Sequence, residues 1–214
     1  MKNLLYKEIR LALHPATIMF LALSAMLLIP NYPYEIVFFY TVLGVFFTCQ
    51  NGREFHDIDY CMTLPISKRG IVSARFATVV CLELLQLLLA VPFALLRRSF
   101  GIPNAAGMDA NIVLIAEGFI LLGAFNFVFF RRYYAAPQKV GRAFAWGATV
   151  VGVLVFIFVG CALAVPYVRE TLDSTDFSNL PVKLGVLAAG MALYAGLTAA
   201  AYRASVRRFE ALDL

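Results

Sequence analysis

The amino-acid sequence predicts an all-α integral membrane protein. It has six transmembrane helices, both termini in the cytoplasm, an interfacial amino-terminal helix and a short cytoplasmic helix between spans 2 and 3. Three observations predict this. Of 214 residues, 62% are hydrophobic and only 14% charged, with a mean hydropathy of +0.80; a soluble domain of this size cannot hide so much apolar surface. The apolar residues fall into runs at or near the roughly 20 residues that a spanning helix needs. The basic residues collect in alternate connections. Residues 1–214 read as a single transmembrane domain.

Residues 1–14 place Leu4, Leu5, Ile9 and Leu13 at helical spacing, with Lys2, Lys7, Glu8 and Arg10 elsewhere. That pattern describes a helix lying in the membrane interface before the chain turns inward near Pro15. Spans 1 and 2, about residues 16–30 and 35–50, are short. Pro30-Asn31-Tyr32-Pro33 between them turns the pair into a tight hairpin. Ser24-Ala25 lies inside the first apolar run, with more apolar residues beyond it, so this run is expected to remain as a signal anchor. Spans 3 to 6, about residues 71–96, 111–130, 143–165 and 183–201, are each long enough to cross alone.

Lysine and arginine orient these spans. Lys2, Lys7 and Arg10 precede span 1; Arg53, Lys68, Arg69 and Arg75 follow span 2; Arg131, Arg132, Lys139 and Arg142 follow span 4; Arg203, Arg207 and Arg208 follow span 6. Only Arg97, Arg98, Arg169 and Lys183 fall on the other side. The positive-inside rule then puts both termini in the cytoplasm, and an odd number of spans would break the alternation. The net charge of +5 follows from membrane retention and calls for no nucleic acid. Cys49, Cys61, Cys81 and Cys161 show no CxxC spacing, and only His14 and His56 could assist them. No metal site is expected, and the cysteines read as reduced, small apolar residues.

The polar stretch from Arg53 to Arg75 is the one connection with internal order. Phe55, Ile58 and Met62 recur on one helical face, with Glu54, Asp57 and Asp59 mostly off it. Pro65 disfavours helix at Leu64 and ends the segment. Ser67 is placed to cap a new helix that continues into span 3. A surface helix at residues 53–65, a kink and a long rigid helix together form an element through which a push would move a span. The plainer reading is an amphipathic connector resting on lipid.

Here the sequence resembles the small six-helix membrane subunits of ABC-2-type ATP-binding-cassette transporters. The carriers are the opening MKNLLYKEIR, the acidic segment with Glu54 and Asp57, and above all Thr63-Leu64-Pro65-Ile66-Ser67-Lys68-Arg69-Gly70-Ile71-Val72 before span 3. The resemblance implies a permease in the cell membrane, an interfacial helix at Met1 to His14, and a coupling helix at Arg53 to Pro65. It also implies a short outer segment at Tyr167 to Pro181. No GxxxxGK[ST] phosphate loop is present, so ATP and Mg are expected on a separate ATPase subunit, and the chain is not expected to be an enzyme. Glu54, Phe55, Asp57, Ile58, Leu64, Pro65, Ser67 and Arg69 are the expected ATPase-coupling residues. Glu54 and Asp57 would meet the partner's basic or amide groups. A second permease, identical or a paralogue, is expected beside it.

Inside the spans, Glu83 and Gln86 are the candidates for a substrate path; the alternative is a hydrogen-bonded packing group. Glu117, in the outer part of span 4, is explained by snorkelling. Ala188, Ala192, Gly196 and Ala200, four residues apart in span 6, are expected to pack against a helix of the same bundle. Two rival functions stand beside an exporter. One is the substrate-binding six-helix subunit of an importer. The other is an intramembrane enzyme, which lacks a catalytic constellation here because no span carries two acids on one face.

Overall fold

The computed structural model describes residues 2–101, 104, 106, 108–173 and 179–212. Met1 of the predicted interfacial helix and residues 174–178 of the predicted outer segment lie outside the described residues. All regular structure among the described residues is helical.

The amino terminus forms α1 (Lys2–Lys7), widening into a π-helical turn over Glu8–Ala12. The chain then bends by 75°. His14 caps α2 (Pro15–Ala22), its Nδ1 accepting from the Ala16 N–H at 3.1 Å; Pro15 at the first helical position lacks only a donor that would be unpaired there anyway. A 3-10 turn continues α2 over Leu23–Leu28. The predicted hairpin turn follows, and the Tyr34 hydroxyl closes it on Ile29 O at 2.8 Å. The chain returns as α3 (Ile36–Glu54). These helices touch closely: Thr17 Oγ1 donates to Gly44 O at 2.9 Å, and a Cβ on Gly44 would lie 2.9 Å from the Thr17 methyl.

Helix α4 is only Asp57–Met62. The predicted coupling helix at residues 53–65 is therefore corrected. Arg53 and Glu54 complete α3, and His56, in the left-handed region at φ 49°, separates it from α4. Phe55 sits in the break, so it does not share a helical face with Ile58 and Met62. Ser67 caps α5 (Lys68–Phe100), its Oγ accepting from the Gly70 N–H at 3.1 Å. Thirty-three residues rise about 50 Å, more than a bilayer core, so α5 projects well beyond the apolar layer. Asn111 caps α6 (Ile112–Tyr133). A 3-10 turn at Pro137–Lys139 leads into α7 (Val140–Ala164), and α8 (Leu180–Glu210) completes the chain.

Helix α6 is the hub, packed chiefly against α8 and α7. Aromatic rings fill one of its ends: Phe125 and Phe129 stack at 4.9 Å, and Tyr134 meets Phe209 of α8 at 5.3 Å. Among the described residues, four helices are long and apolar enough to cross a membrane: α5, α6, α7 with its preceding turn, and α8; the bent amino-terminal pair brings this to five at most. Helix α3 falls short because Gln50-Asn51-Gly52-Arg53-Glu54 makes its last turn polar. The small-residue stripe of α8 is a second correction. Ala188, Ala192, Gly196 and Ala200 are exposed, and Gly190, Tyr194, Thr198 and Ala201 face the bundle instead.

Candidate coupling site

One face of α5 repeats every four residues as Ile71, Arg75, Val79, Glu83 and Leu87, and all five are buried. The face that packs into the bundle therefore carries two ionisable side chains, Arg75 and Glu83. Each organises a polar knot.

Arg75, 2% exposed, gathers four elements. Its Nη2 donates to Asp57 Oδ2 of α4 at 2.7 Å and to Glu8 Oε1 at 3.3 Å, while its Nε pairs with the other Glu8 oxygen. Lys7 closes the ring, 2.6 Å from Asp57 Oδ1 and 3.0 Å from Glu8 Oε1. Two cations thus meet two carboxylates, and the cluster is neutral. Helix α3 makes room for it: a Cβ on Gly52 would stand 3.2 Å from Arg75 Nη2. Cys61 of α4 lies beside the ring, its sulfur 3.2 Å from Lys7 Nζ. Burial raises the Cys61 thiol above its ordinary value, against the opposing effect of Lys7, so it stays a neutral thiol.

Glu83 forms the second knot. Its Oε2 accepts from Tyr194 OH of α8 at 2.7 Å and from Asn126 Nδ2 of α6 at 2.9 Å. Gln86 donates to Ser24 Oγ at 2.9 Å, tying α5 to the turn after α2. Both candidate path residues are fully buried inside the chain. Glu117 also faces the bundle at 6% exposure, so it does not reach out along lipid as snorkelling requires.

The remaining predicted coupling residues divide by direction. Asp57 points inward, and Ile58 is half-buried against the core. Glu54 is exposed and accepts from Gln50 Nε2 at 2.9 Å. Phe55 is 72% exposed and Leu64 37%; Pro65 is exposed beside it, and Ser67 serves as the cap. Arg69 reaches Tyr202 OH of α8 at 3.5 Å. Sequence reasoning missed Lys7, Glu8 and Arg75 as partners, and Tyr60, 61% exposed on the outer side of α4. Arg75 had a signal: it lies four residues from both Ile71 and Val79, on the apolar stripe. No trio of His, Cys, Asp and Glu among the described residues is arranged to hold a metal ion.

The first and last described helices both reach this site. The amino-terminal helix joins it through Lys7 and Glu8, and Lys68 Nζ donates to the Leu212 carbonyl near the carboxyl terminus. Compared with known proteins, residues 3–210 match the family model described as ABC-2 family transporter protein. No curated protein and no solved structure matches the chain.

Proposed function

The chain belongs to the ABC-2 family of transporter proteins, and from that premise we propose that it is the permease subunit of an exporter driven by a separate ATPase that grips α4. It is a multi-pass membrane protein and a membrane permease of an ABC transporter. The direction of transport, the partner and the coupling route are our reading.

The ion-paired attachment of α4 to α5 through Asp57 and Arg75 carries it. On its outer side α4 and its flanks present Phe55, Tyr60 and Leu64 with the carboxylate of Glu54, an apolar patch with an acidic edge. In our reading the ATPase, which binds ATP and Mg, packs against that patch. Asp57 faces the other way and hands the displacement to α5 and, through Lys7 and Glu8, to the interfacial helix. A buried, multiply bonded charge pair suits this task, because it has one geometry and little freedom to slip.

Six spans follow if α2 with its 3-10 extension and α3 cross as a hairpin pair beside the four long helices. Termini at the same end of the bundle support an even count, and the basic residues at that end support a cytoplasmic placement in the cell membrane. The outward stripe of Ala188, Ala192, Gly196 and Ala200 offers a second permease copy, or a paralogue, close helix contact.

The test uses the permease reconstituted with its ATPase. Phe55→Ala with Tyr60→Ala removes two exposed aromatics, each worth about 2 kcal/mol at an interface centre. Loss of ATPase co-purification and a tenfold or larger fall in coupled transport are expected, with membrane insertion unchanged. Full coupling in the double variant would sink the proposal.

A further inference from the structure

Where α6 ends and α7 begins, four cations from three separated stretches of sequence surround one cleft of about 200 Å³. Arg132 comes from the end of α6, Lys139 and Arg142 from the start of α7, and Arg208 from the end of α8; Trp146 forms a wall. No carboxylate lines the cleft. Among the described residues, none of the four cations makes an ion pair. The positive-inside tendency spreads basic residues over loops, but it gives no reason for them to converge on a concavity.

Two of the cations are already oriented. Arg132 donates to Val128 O at 3.3 Å and lies 5.0 Å over the Trp146 ring. Arg208 donates to Arg131 O at 2.6 Å. A guanidinium has five donors, so each keeps several for an anion. The first turn of α7 adds the positive end of its dipole.

Trp146 decides which anion. It is 51% exposed on a helix whose apolar stretch is only 17% buried, and tryptophan favours the depth of lipid headgroups. Farther along the same face stand Val153, Phe156 and Ile157, exposed by 53%, 80% and 46%. A phosphate in the cleft would therefore sit at the head of an apolar track suited to acyl chains.

We propose that this cleft binds the phosphate headgroup of an anionic phospholipid, with the acyl chains lying along α7. Guanidinium forks recognise phosphate oxygens through charge-assisted hydrogen bonds, and basic pockets between membrane helices suit such headgroups. The site does not depend on the direction of transport or on the ATPase.

Trp146 is the only tryptophan in the chain, so its fluorescence reports on the site directly. The full-length protein is placed in phosphatidylcholine vesicles doped with either acyl-brominated phosphatidylglycerol or acyl-brominated phosphatidylcholine at equal mole fraction. The anionic lipid is expected to quench roughly threefold more strongly. Lys139→Gln with Arg142→Gln should bring the two lipids level, and Lys139→Arg with Arg142→Lys should keep the difference. Equal quenching of the unaltered protein overturns the proposal and leaves the cleft to a protein partner. An unchanged difference in the double glutamine variant overturns the site. If excess inorganic phosphate at constant ionic strength abolishes the difference, the ligand is the soluble anion and the lipid assignment is wrong.

Discussion

Arg75 sits where an unpaired charge would be least tolerable, and Glu8, Asp57 and Lys7 are what make it tolerable. Removing one member of a buried pair leaves the others uncompensated, at a cost of about 3–5 kcal/mol. Arg75→Ala should therefore lower the unfolding temperature in detergent sharply. Arg75→Lys should recover only part of the loss, since a point ammonium cannot span two carboxylates as a fork does. A melting curve unchanged in Arg75→Ala would show that the cluster stabilises nothing. Glu83 poses the same question without an opposite charge. Glu83→Gln keeps an acceptor for Asn126 and Tyr194 and should be tolerated in both folding and transport. Glu83→Ala strands two buried donors at about 1–3 kcal/mol each. Transport abolished in a well-folded Glu83→Gln would instead place that carboxylate in the substrate path.

Between helices, the closest approaches are made at glycine, and the two glycines of α8 that matter behave oppositely. A Cβ on Gly190 would meet Ala116 O at 2.8 Å and Ala116 Cα at 3.2 Å. Those are backbone atoms, so α8 itself must back away from α6. Gly190→Ala should cost about 1–3 kcal/mol through overpacking. Gly196 has nothing within 4 Å of its would-be Cβ, and Gly196→Ala should be neutral or raise stability slightly through helix propensity. Thermal unfolding of the two variants side by side checks this; equal effects would mean that α8 is rotated from its placement here. The placement that sets Gly190 against α6 also turns the Ala188 stripe outward. Four-residue spacing marks a face of a helix, but not which neighbour that face will meet.

The assembled chain has Lys7, α4 and Leu212 on one side and the stretch from Val165 to Leu172 at the far end of α7. With α4 in the cytoplasm, an impermeant maleimide applied to intact cells should label Glu170→Cys and spare His56→Cys, in a background with the native cysteines replaced. The reverse labelling would invert the orientation; labelling of both or neither would break the topology. Much of this was legible in the chain. Apolar run length marked the four long helices, Pro30 to Pro33 marked the hairpin turn, and Ser67 marked the start of α5, because membrane insertion, proline geometry and helix capping are local constraints. The extent of α4, the inward turn of Asp57 and the burial of Glu117 were not legible. Sequence by itself determined an all-helical membrane protein of this family and where its four long helices lie. Only tertiary structure decided that Lys7, Glu8, Asp57 and Arg75 form one cluster, since residues up to 67 positions apart become partners solely through the packing of helices that carry them, and a charge cannot declare its partner until that packing removes water from around it.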